Sequence, residues 1–437
     1  MKSLDARTTL IAVVMFLSAF VSVGADFTNL HSFSGDGESC STAGLIVSGN
    51  ILYGTTSGFG PGGGSGTVFA IHTDGTGFTN LHMSYGCNPE GRLVLSGETL
   101  YTTANSCGAH GAGTVFKVNT DWTGFTNVFS FQSSDENTSG YNPQSGLVLT
   151  NNTLFGTAVY GGSKGLGTVF KITTDGNDYT VLHNFDGTNG DLPEAELILS
   201  GDTLYGATSG FYSANSGTVF AINTDGTGFT NLHEFNGSDG GRPVGNLTLS
   251  GDTMFGTTVD GGSGGVGTVF RLNVDGTGFT NLHHFSGNDG ANPYGGLVLS
   301  GNVLYGTTYS GSSGDAGTVF KINTDGAGFT NIYDFSGTDG AEPFGSLLLV
   351  GNTLYGTTSS GGSTGRGTVF ALTLSPEPIP LNIELNGGAV VLNWSDPTFS
   401  LQSAPTATGV YTNVPNASSP YTNIIFGLQQ FYRLRAD

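Results

Sequence analysis

Short runs of alternating apolar and polar residues recur along the chain, and the stretch from Gly295 to Phe335 shows the arrangement in full. Four runs follow one another there: "GGLVLSG", "VLYGTT", "GTVFKIN" and "FTNIYDF". A period of two is typical of β-strands, whose successive side chains point to opposite faces. Gly301-Asn302 between the first two runs predicts a tight hairpin, and no window carries a helical period. The pattern therefore predicts four antiparallel strands, which we call A, B, C and D in chain order.

This four-strand unit is repeated along the chain. The tetrapeptide Gly-Thr-Val-Phe marks strand C and begins at Gly66, Gly113, Gly167, Gly217, Gly267, Gly317 and Gly367, at spacings of 47, 54, 50, 50, 50 and 50 residues. Four-stranded units of this length predict a β-propeller. "FTNLHSF", from Phe27 to Phe33, is a D strand that precedes any A strand, and the last copy has no D strand of its own. The N-terminal strand is therefore expected to complete the last blade and close a seven-bladed ring.

The repeats end near Leu374, and a different sequence follows. Residues 375–380, "SPEPIP", predict a stiff Pro-rich linker. Residues 381–437 alternate again in "LNIELNGGAVVLNWS", "FSLQSA" and "QQFYRLRAD", which predicts a small β-sandwich-like module. The predicted fold class is all-β, with a seven-bladed β-propeller over residues 26–374 and this module at the C-terminus. A role of the module in sorting or anchoring is left open by the sequence.

Residues 1–25 have the features of a secretory signal peptide. Lys2 and Arg7 precede an apolar run from Leu10 to Val23, and small residues end at Ala25. The alternative is an N-terminal membrane anchor, but a run of about fourteen residues is short for a span. Cleavage before Asp26 is therefore expected, with no membrane insertion of the remaining chain. The predicted location is secreted, cell-surface or periplasmic.

Composition and charge narrow the classes of partner. The chain has 437 residues with 74 Gly, which in a sequence without apolar pattern would indicate disorder, but 30 Phe and 16 Tyr can fill a core. The formal net charge is −21, with only 12 Lys and Arg. A nucleic-acid partner or an anionic membrane surface is not expected, because the chain has no basic patch to neutralise phosphates.

Several motifs that resemble ligand sites are better explained by the repeat. Gly-rich stretches such as "GGSGGVG" precede a strand, whereas a phosphate cradle needs a helix N-terminus behind it. One slot of strand D is occupied by His31, His82, Phe129, His183, His233, His283 and Tyr333. A slot that accepts His, Phe or Tyr indicates packing and not a metal ligand. No cofactor is expected; calcium at the recurring Asp-Gly loops is the alternative.

The repeat also resembles a known family. "GTVFKINTDG", "NTLYGTTS" and the Asp-Gly loop before strand A resemble the GloVer tandem-repeat proteins, over Phe27 to about Leu374. The resemblance implies an exported bacterial repeat protein, and it implies no activity or catalytic residue. Members carry one of several C-terminal anchors. Here the Pro-Glu-Pro motif within residues 375–380 is not followed by the apolar helix and basic tail of one such anchor.

Candidate binding residues lie where the copies differ. The D–A and B–C loops of a propeller of this strand order share one face. The D–A loop into blade 3 is longer and carries Asp135, Glu136 and Tyr141. The ligand-binding candidates on this face are Arg92, Tyr160, Asp191, Glu194, Glu196, Phe211 and Tyr212. Aromatic faces with neighbouring carboxylates suit sugar rings, so an extracellular glycan, or a surface protein, is the expected partner.

Three hypotheses for function follow from these residues. The first is a non-catalytic binding protein with a glycan site over blades 3 and 4. The second is a polysaccharide-active hydrolase or lyase that uses Asp191, Glu194 or Glu196, although no catalytic arrangement stands out. The third is an architectural scaffold without a small ligand. Arg92 and Glu196 are the charged exceptions among the residues just before strand A.

The three cysteines, Cys40, Cys87 and Cys107, all fall in loops on the same face. Export permits disulfides. Cys87 and Cys107 flank strands A and B of blade 2 and are the favoured pair, and Cys40–Cys87 is the rival.

Overall fold

The computed structural model describes residues 25–34, 43–58, 66–82, 87–133, 139–211, 216–374, 382–386, 389–394, 399–404, 410–424 and 431–436. No helix occurs within these ranges. The chain forms two compact units, one ending at Thr373 and the other beginning at Leu374.

The first unit contains seven four-stranded antiparallel sheets, each in the order A-B-C-D. The A strands are Ile46–Ser48, Val94–Ser96, Val148–Thr150, Ile198–Ser200, Thr248–Ser250, Val298–Ser300 and Leu348–Val350. The B strands are Ile51–Thr56, Thr99–Ala104, Thr153–Ala158, Thr203–Thr208, Thr253–Thr258, Val303–Thr308 and Thr353–Thr357. The C strands are Thr67–His72, Thr114–Asn119, Thr168–Thr173, Thr218–Asn223, Thr268–Asn273, Thr318–Asn323 and Thr368–Thr373. The D strands of blades 1 to 6 are Thr79–His82, Thr126–Ser130, Thr180–Asn184, Thr230–Glu234, Thr280–His284 and Thr330–Asp334.

The D strand of blade 7 comes from the N-terminus. Asp26–Ser32 pairs antiparallel with Thr368–Thr373, with Asp26 opposite Thr373 and Ser32 opposite Thr368. The first and last strands of the ring therefore share one sheet. The predicted seven-bladed β-propeller, closed by its N-terminal strand, is confirmed.

Both faces of each blade are buried, because a neighbouring blade covers each of them. In blade 4 the successive residues Val219 and Phe220 both have no exposed surface. Val219 packs with Phe235 and Phe270 at the interface with blade 5. Phe220 packs with Phe185 at the interface with blade 3. This explains why "TVF" carries two adjacent apolar residues where a half-exposed strand would carry one.

The variable slot of strand D is a packing site, as its residue types indicated. The ring of His183 stacks on Phe229 of the next blade, with centroids 3.6 Å apart and an interplanar angle of 2°. His233 and His283 stack on Phe279 and Phe329 at 3.7 Å in the same way. Phe129 and Tyr333 replace histidine in this slot and stack on Tyr179 and Phe27.

The second unit is a small β module. Its strands are Asn382–Asn386, Ala389–Asn393, Phe399–Ala404, Thr412–Asn413, Tyr421–Ile424 and Phe431–Ala436. They form two three-stranded sheets. Leu392, Trp394 and Leu401 are buried together in its core.

Candidate functional site

A cavity of about 500 Å³ opens on the face that carries the D–A and B–C loops. We call it the axial cavity, because residues from all seven blades line it. Six lining residues directly follow the D–A loop proline or its equivalent position: Glu90, Gln144, Glu194, Val244, Tyr294 and Phe344. Six more stand two residues before strand A: Gly44, Arg92, Gly146, Glu196, Asn246 and Ser346. The same two positions of each repeat therefore build most of its wall.

The backbone of the D–A loop turns these residues toward the axis. In blade 4, Leu192 precedes Pro193 and has a left-handed backbone with φ of 52°. Its amide donates to the carbonyl of Leu166 in the preceding blade at 2.9 Å, and its carbonyl accepts from Ser209 at 3.0 Å. A conformation that is unfavourable for leucine is thus fixed from both sides. The next residue after the proline, Glu194, is therefore held in the cavity wall.

An ion pair connects blades 2 and 4 across the wall of the cavity. Arg92 donates from Nε to Oε2 of Glu196 at 3.1 Å and from Nη2 to Oε1 at 3.0 Å. Asn246 of blade 5 donates to Oε2 of Glu196 at 2.9 Å. Gly146 of blade 3 lies against the carboxyl of Glu196, and a Cβ at this position would come within 2.8 Å of Glu196 Cδ. Two parallel hydrogen bonds of this kind pair the two charges with each other and hold blades 2 and 4 at a fixed distance, so we call the Arg92–Glu196 pair a brace.

A second pair of carboxyls forms an acidic wall. Burial raises the pKa of Glu90 to about 7; a hydrogen bond from Asn105 opposes this, and the charge of Glu194 adds to it. Burial likewise raises the pKa of Glu194, against the positive charge of Arg242 and with the negative charge of Asp191. The negative charge of Glu194 therefore acts on Glu90 within one cavity, and the pKa of Glu90 lies near neutral pH.

An aromatic wall is formed by blades 6 and 7. Tyr294 and Phe344 stack with ring centroids 4.4 Å apart and an interplanar angle of 19°. Tyr309 meets both rings edge-on, at 5.4 and 6.2 Å. The guanidinium of Arg242 lies 6.0 Å from the centroid of Tyr294 and pairs with Asp260 at 3.2 Å. The cavity thus combines stacked aromatic rings with the half-buried carboxyls of the acidic wall.

A disulfide fixes the loops beside Glu90. Cys87 and Cys107, the pair favoured by the sequence, are joined with Cα atoms 4.8 Å apart. The bond links the D–A and B–C loops of blade 2, and the amide of Asn105 donates to the carbonyl of Asn88 at 3.1 Å between them. Glu90 and Asn105 are therefore held in a rigid frame. Cys40 lies outside the described residues.

The structure brings together only part of the predicted set of site residues. Arg92, Glu194 and Glu196 line the axial cavity, and Asp191 is fully buried beside it. Tyr160 and Phe211 are not among the lining residues. Tyr160 stacks on Tyr141 at 5.5 Å, and Phe211 is 69% exposed. Tyr212, Asp135 and Glu136 lie outside the described residues.

The residues that the sequence analysis did not select are Glu90, Tyr294, Phe344 and Arg242. A usable signal exists, because three of them occupy the position after the loop proline, where the copies carry Glu, Gln, Glu, Val, Tyr and Phe. This position varies between the copies, as the position of Arg92 and Glu196 does. Arg242 lies directly before the proline.

Within the described ranges, no group of three or more His, Cys, Asp and Glu side chains is arranged to hold a metal ion. The same part of the chain contains no helix with the length and apolar character to cross a membrane.

Solved structures with a similar fold differ widely in what they are. An oligogalacturonate lyase in complex with manganese shares 13% identity over 82% of this chain and 95% of its own, with a TM-score of 0.52. A chain of a nidogen–laminin complex shares 15% identity over 68% of this chain and 98% of its own, with a TM-score of 0.44. BamB from Moraxella catarrhalis shares 16% identity over 77% and 84%, with a TM-score of 0.44. At such identities the likeness concerns the fold alone.

No curated protein sequence matches the chain. A family model does match it, over residues 17–210 and 193–370, and those two spans cover most of its length. The chain therefore belongs to the Gloeobacter/Verrucomicrobia repeat family.

Proposed function

We propose that the protein is an exported, non-catalytic glycan-binding propeller and that the end of a sugar chain occupies the axial cavity. The observation that carries the proposal is the pairing of the acidic wall, Glu90 and Glu194, with the aromatic wall, Tyr294 and Phe344, in one cavity. Sugar rings stack their C–H faces on aromatic rings, and their hydroxyls bond to carboxyl groups. Export is proposed from the features of residues 1–25.

The size of the cavity supports a ligand of one or two sugar rings. Its volume of about 500 Å³ is within the range of small-molecule sites. Loop geometry and the Arg92–Glu196 brace keep its walls in place without a ligand, which lowers the entropic cost of binding. Phe211, by contrast, is 69% exposed and is not a lining residue of the cavity.

The proposal is tested by a glycan array with the purified chain, followed by titration calorimetry on each hit. Tyr294→Ala should weaken binding about tenfold, since loss of a stacked ring costs about 1–3 kcal/mol of contact. Phe211→Ala is the matched control, because it removes an exposed aromatic ring outside the cavity. If Phe211→Ala weakens binding and Tyr294→Ala does not, the site lies in the loops of blade 4. A glycan array without hits would favour the architectural scaffold.

A polysaccharide-active enzyme is the second candidate. The observation that favours it is the pKa of Glu90, about 7, which suits a general acid at neutral pH with Glu194 as a second carboxyl in the same cavity. An enzyme would release reducing ends from a bound glycan. Both Glu90→Gln and Glu194→Gln should then abolish release while stacking on Tyr294 maintains binding. If the glycan binds and no reducing ends are released, the result supports the non-catalytic function.

A further inference from the structure

The charges that line the axial cavity do not cancel. Arg92 and Glu196 neutralise each other through two hydrogen bonds. Arg242, the other cation of the wall, pairs with Asp260 at 3.2 Å. The charge of Arg242 also acts on Glu194, so three lining carboxyls, Glu90, Glu194 and Glu196, face two lining cations among the described residues. The cavity is therefore electronegative when all three carboxyls are ionised.

Glu90 has no cation beside it in the described part of the chain. The groups that act on its carboxyl are the Asn105 side chain and the like charge of Glu194. The disulfide between Cys87 and Cys107 ties the loop that carries Glu90 to the neighbouring loop of the same blade. A carboxylate withdrawn from water without a cation is costly, and the hydrogen bond with Asn105 relieves only part of that cost.

The aromatic wall completes a recognition surface for a cation. The stacked rings of Tyr294 and Phe344 belong to the same cavity as the two carboxyls. Aromatic faces attract ammonium groups, and carboxylates pair with them through charge-assisted hydrogen bonds. A neutral sugar would use the aromatic wall but would leave Glu90 without a counter-charge and Glu194 with only the shared charge of Arg242.

Resting on the proposed function, we infer that the axial cavity selects glycans that carry a free, protonated amino group, with the ammonium bound between Glu90 and Glu194. The sugar ring lies on the side of Tyr294 and Phe344. Acetylation of the amine removes the positive charge and adds bulk, so an N-acetylated sugar is the wrong ligand. The ligand class is thus an amino sugar with an unmodified amine.

The test compares three oligosaccharides of equal length by calorimetry: a glucosamine oligomer, its fully N-acetylated form and a glucose oligomer. The glucosamine oligomer should bind about tenfold more tightly than the other two, the usual value of a hydrogen bond to a charged group. Glu90→Gln and Glu194→Gln should each remove about tenfold from this affinity and change that for glucose oligomers little.

Glu98→Gln is the matched control, because Glu98 lies in the A–B turn of blade 2, on the opposite face, and carries the same charge. If both wall variants keep the preference for the amine, the preference comes from the net charge of −21 and the inference is wrong. Equal binding of the three oligomers also overturns it, yet leaves the glycan-binding proposal intact. Failure of all three to bind, together with a blank array, overturns both.

Discussion

At the scale of single residues, Glu90 is the group on which the chemistry of the axial cavity most depends. Its carboxyl is held in a half-buried position by a disulfide-linked loop, with Asn105 as its hydrogen-bond partner. Burial and the nearby charge of Glu194 raise its pKa to about 7. A side chain in such a place costs stability when it ionises, and this cost can be measured.

Glu90→Gln should stabilise the protein in a pH-dependent way. Below the ordinary pKa of 4.5 the carboxyl is protonated in both states, and the substitution changes little. Between 4.5 and about 7 the unfolded chain releases the proton while the folded chain retains it, so wild-type stability falls as the pH rises. Above about 7 the cost is complete, at most about 3 kcal/mol.

Denaturant unfolding at pH 4 and pH 8 measures this difference. The variant should gain free energy of unfolding at pH 8 and almost none at pH 4. Glu98→Gln, in the exposed A–B turn of the same blade, should show no such difference. A gain for Glu90→Gln that is equal at the two pH values would mean that packing, and not ionisation, is responsible.

At the scale of elements, the D–A loop separates a conserved frame from a variable position within each copy. The frame consists of a left-handed residue, as at Leu192 with φ of 52°, and the proline that follows it. The variable position comes next and faces the cavity, as Glu194, Tyr294 and Phe344 do. One backbone thus presents five types of side chain from six blades. Together with the position of Arg92 and Glu196, this position sets much of the chemistry of the cavity by substitution and not by insertion.

The repeat made the strands, their order and the closure of the ring predictable, because each strand carries its own local pattern. The packing role of the His183 slot was also readable, since Phe and Tyr replace histidine in other copies. The Arg92–Glu196 pair was not, because the residues are 104 positions apart and meet only through the curvature of the ring. Irregular loops do not point to the aromatic wall, because Tyr294 and Phe344 belong to the most regular copies of the repeat.

At the scale of the whole molecule, blade 7 is the one blade whose D strand is not continuous in sequence with its C strand, because that D strand comes from the N-terminus. Asp26–Ser32 is held on Thr368–Thr373 by strand pairing and by side-chain packing, including Phe27 on Phe370 with ring centroids 5.8 Å apart. Phe33 follows this strand, donates its amide to the carbonyl of Gly367 at 3.1 Å and has no exposed surface. Its ring meets Phe69 of blade 1 edge-on at 5.5 Å. Phe33 therefore connects the last blade to the first, and the shape of an axial cavity lined by all seven blades depends on that connection.

Phe33→Ala should open the ring at this point, in contrast to the equivalent change inside it. Phe235 has the same contacts, with no exposed surface and an edge-on ring 5.3 Å from Phe270, but the chain continues on both sides of its blade. Each substitution should cost about 3–5 kcal/mol of packing. In Phe33→Ala alone, hydrogen exchange should rise together in Asp26–Ser32 and Thr368–Thr373, because the strand can detach. In Phe235→Ala the chain holds strand D in place, so exchange should rise only near the cavity that the substitution leaves. Equal patterns of hydrogen exchange in Phe33→Ala and Phe235→Ala would mean that closure by the N-terminal strand is no weaker than the covalent links between blades. The two variants would then also have the same affinity for a glycan.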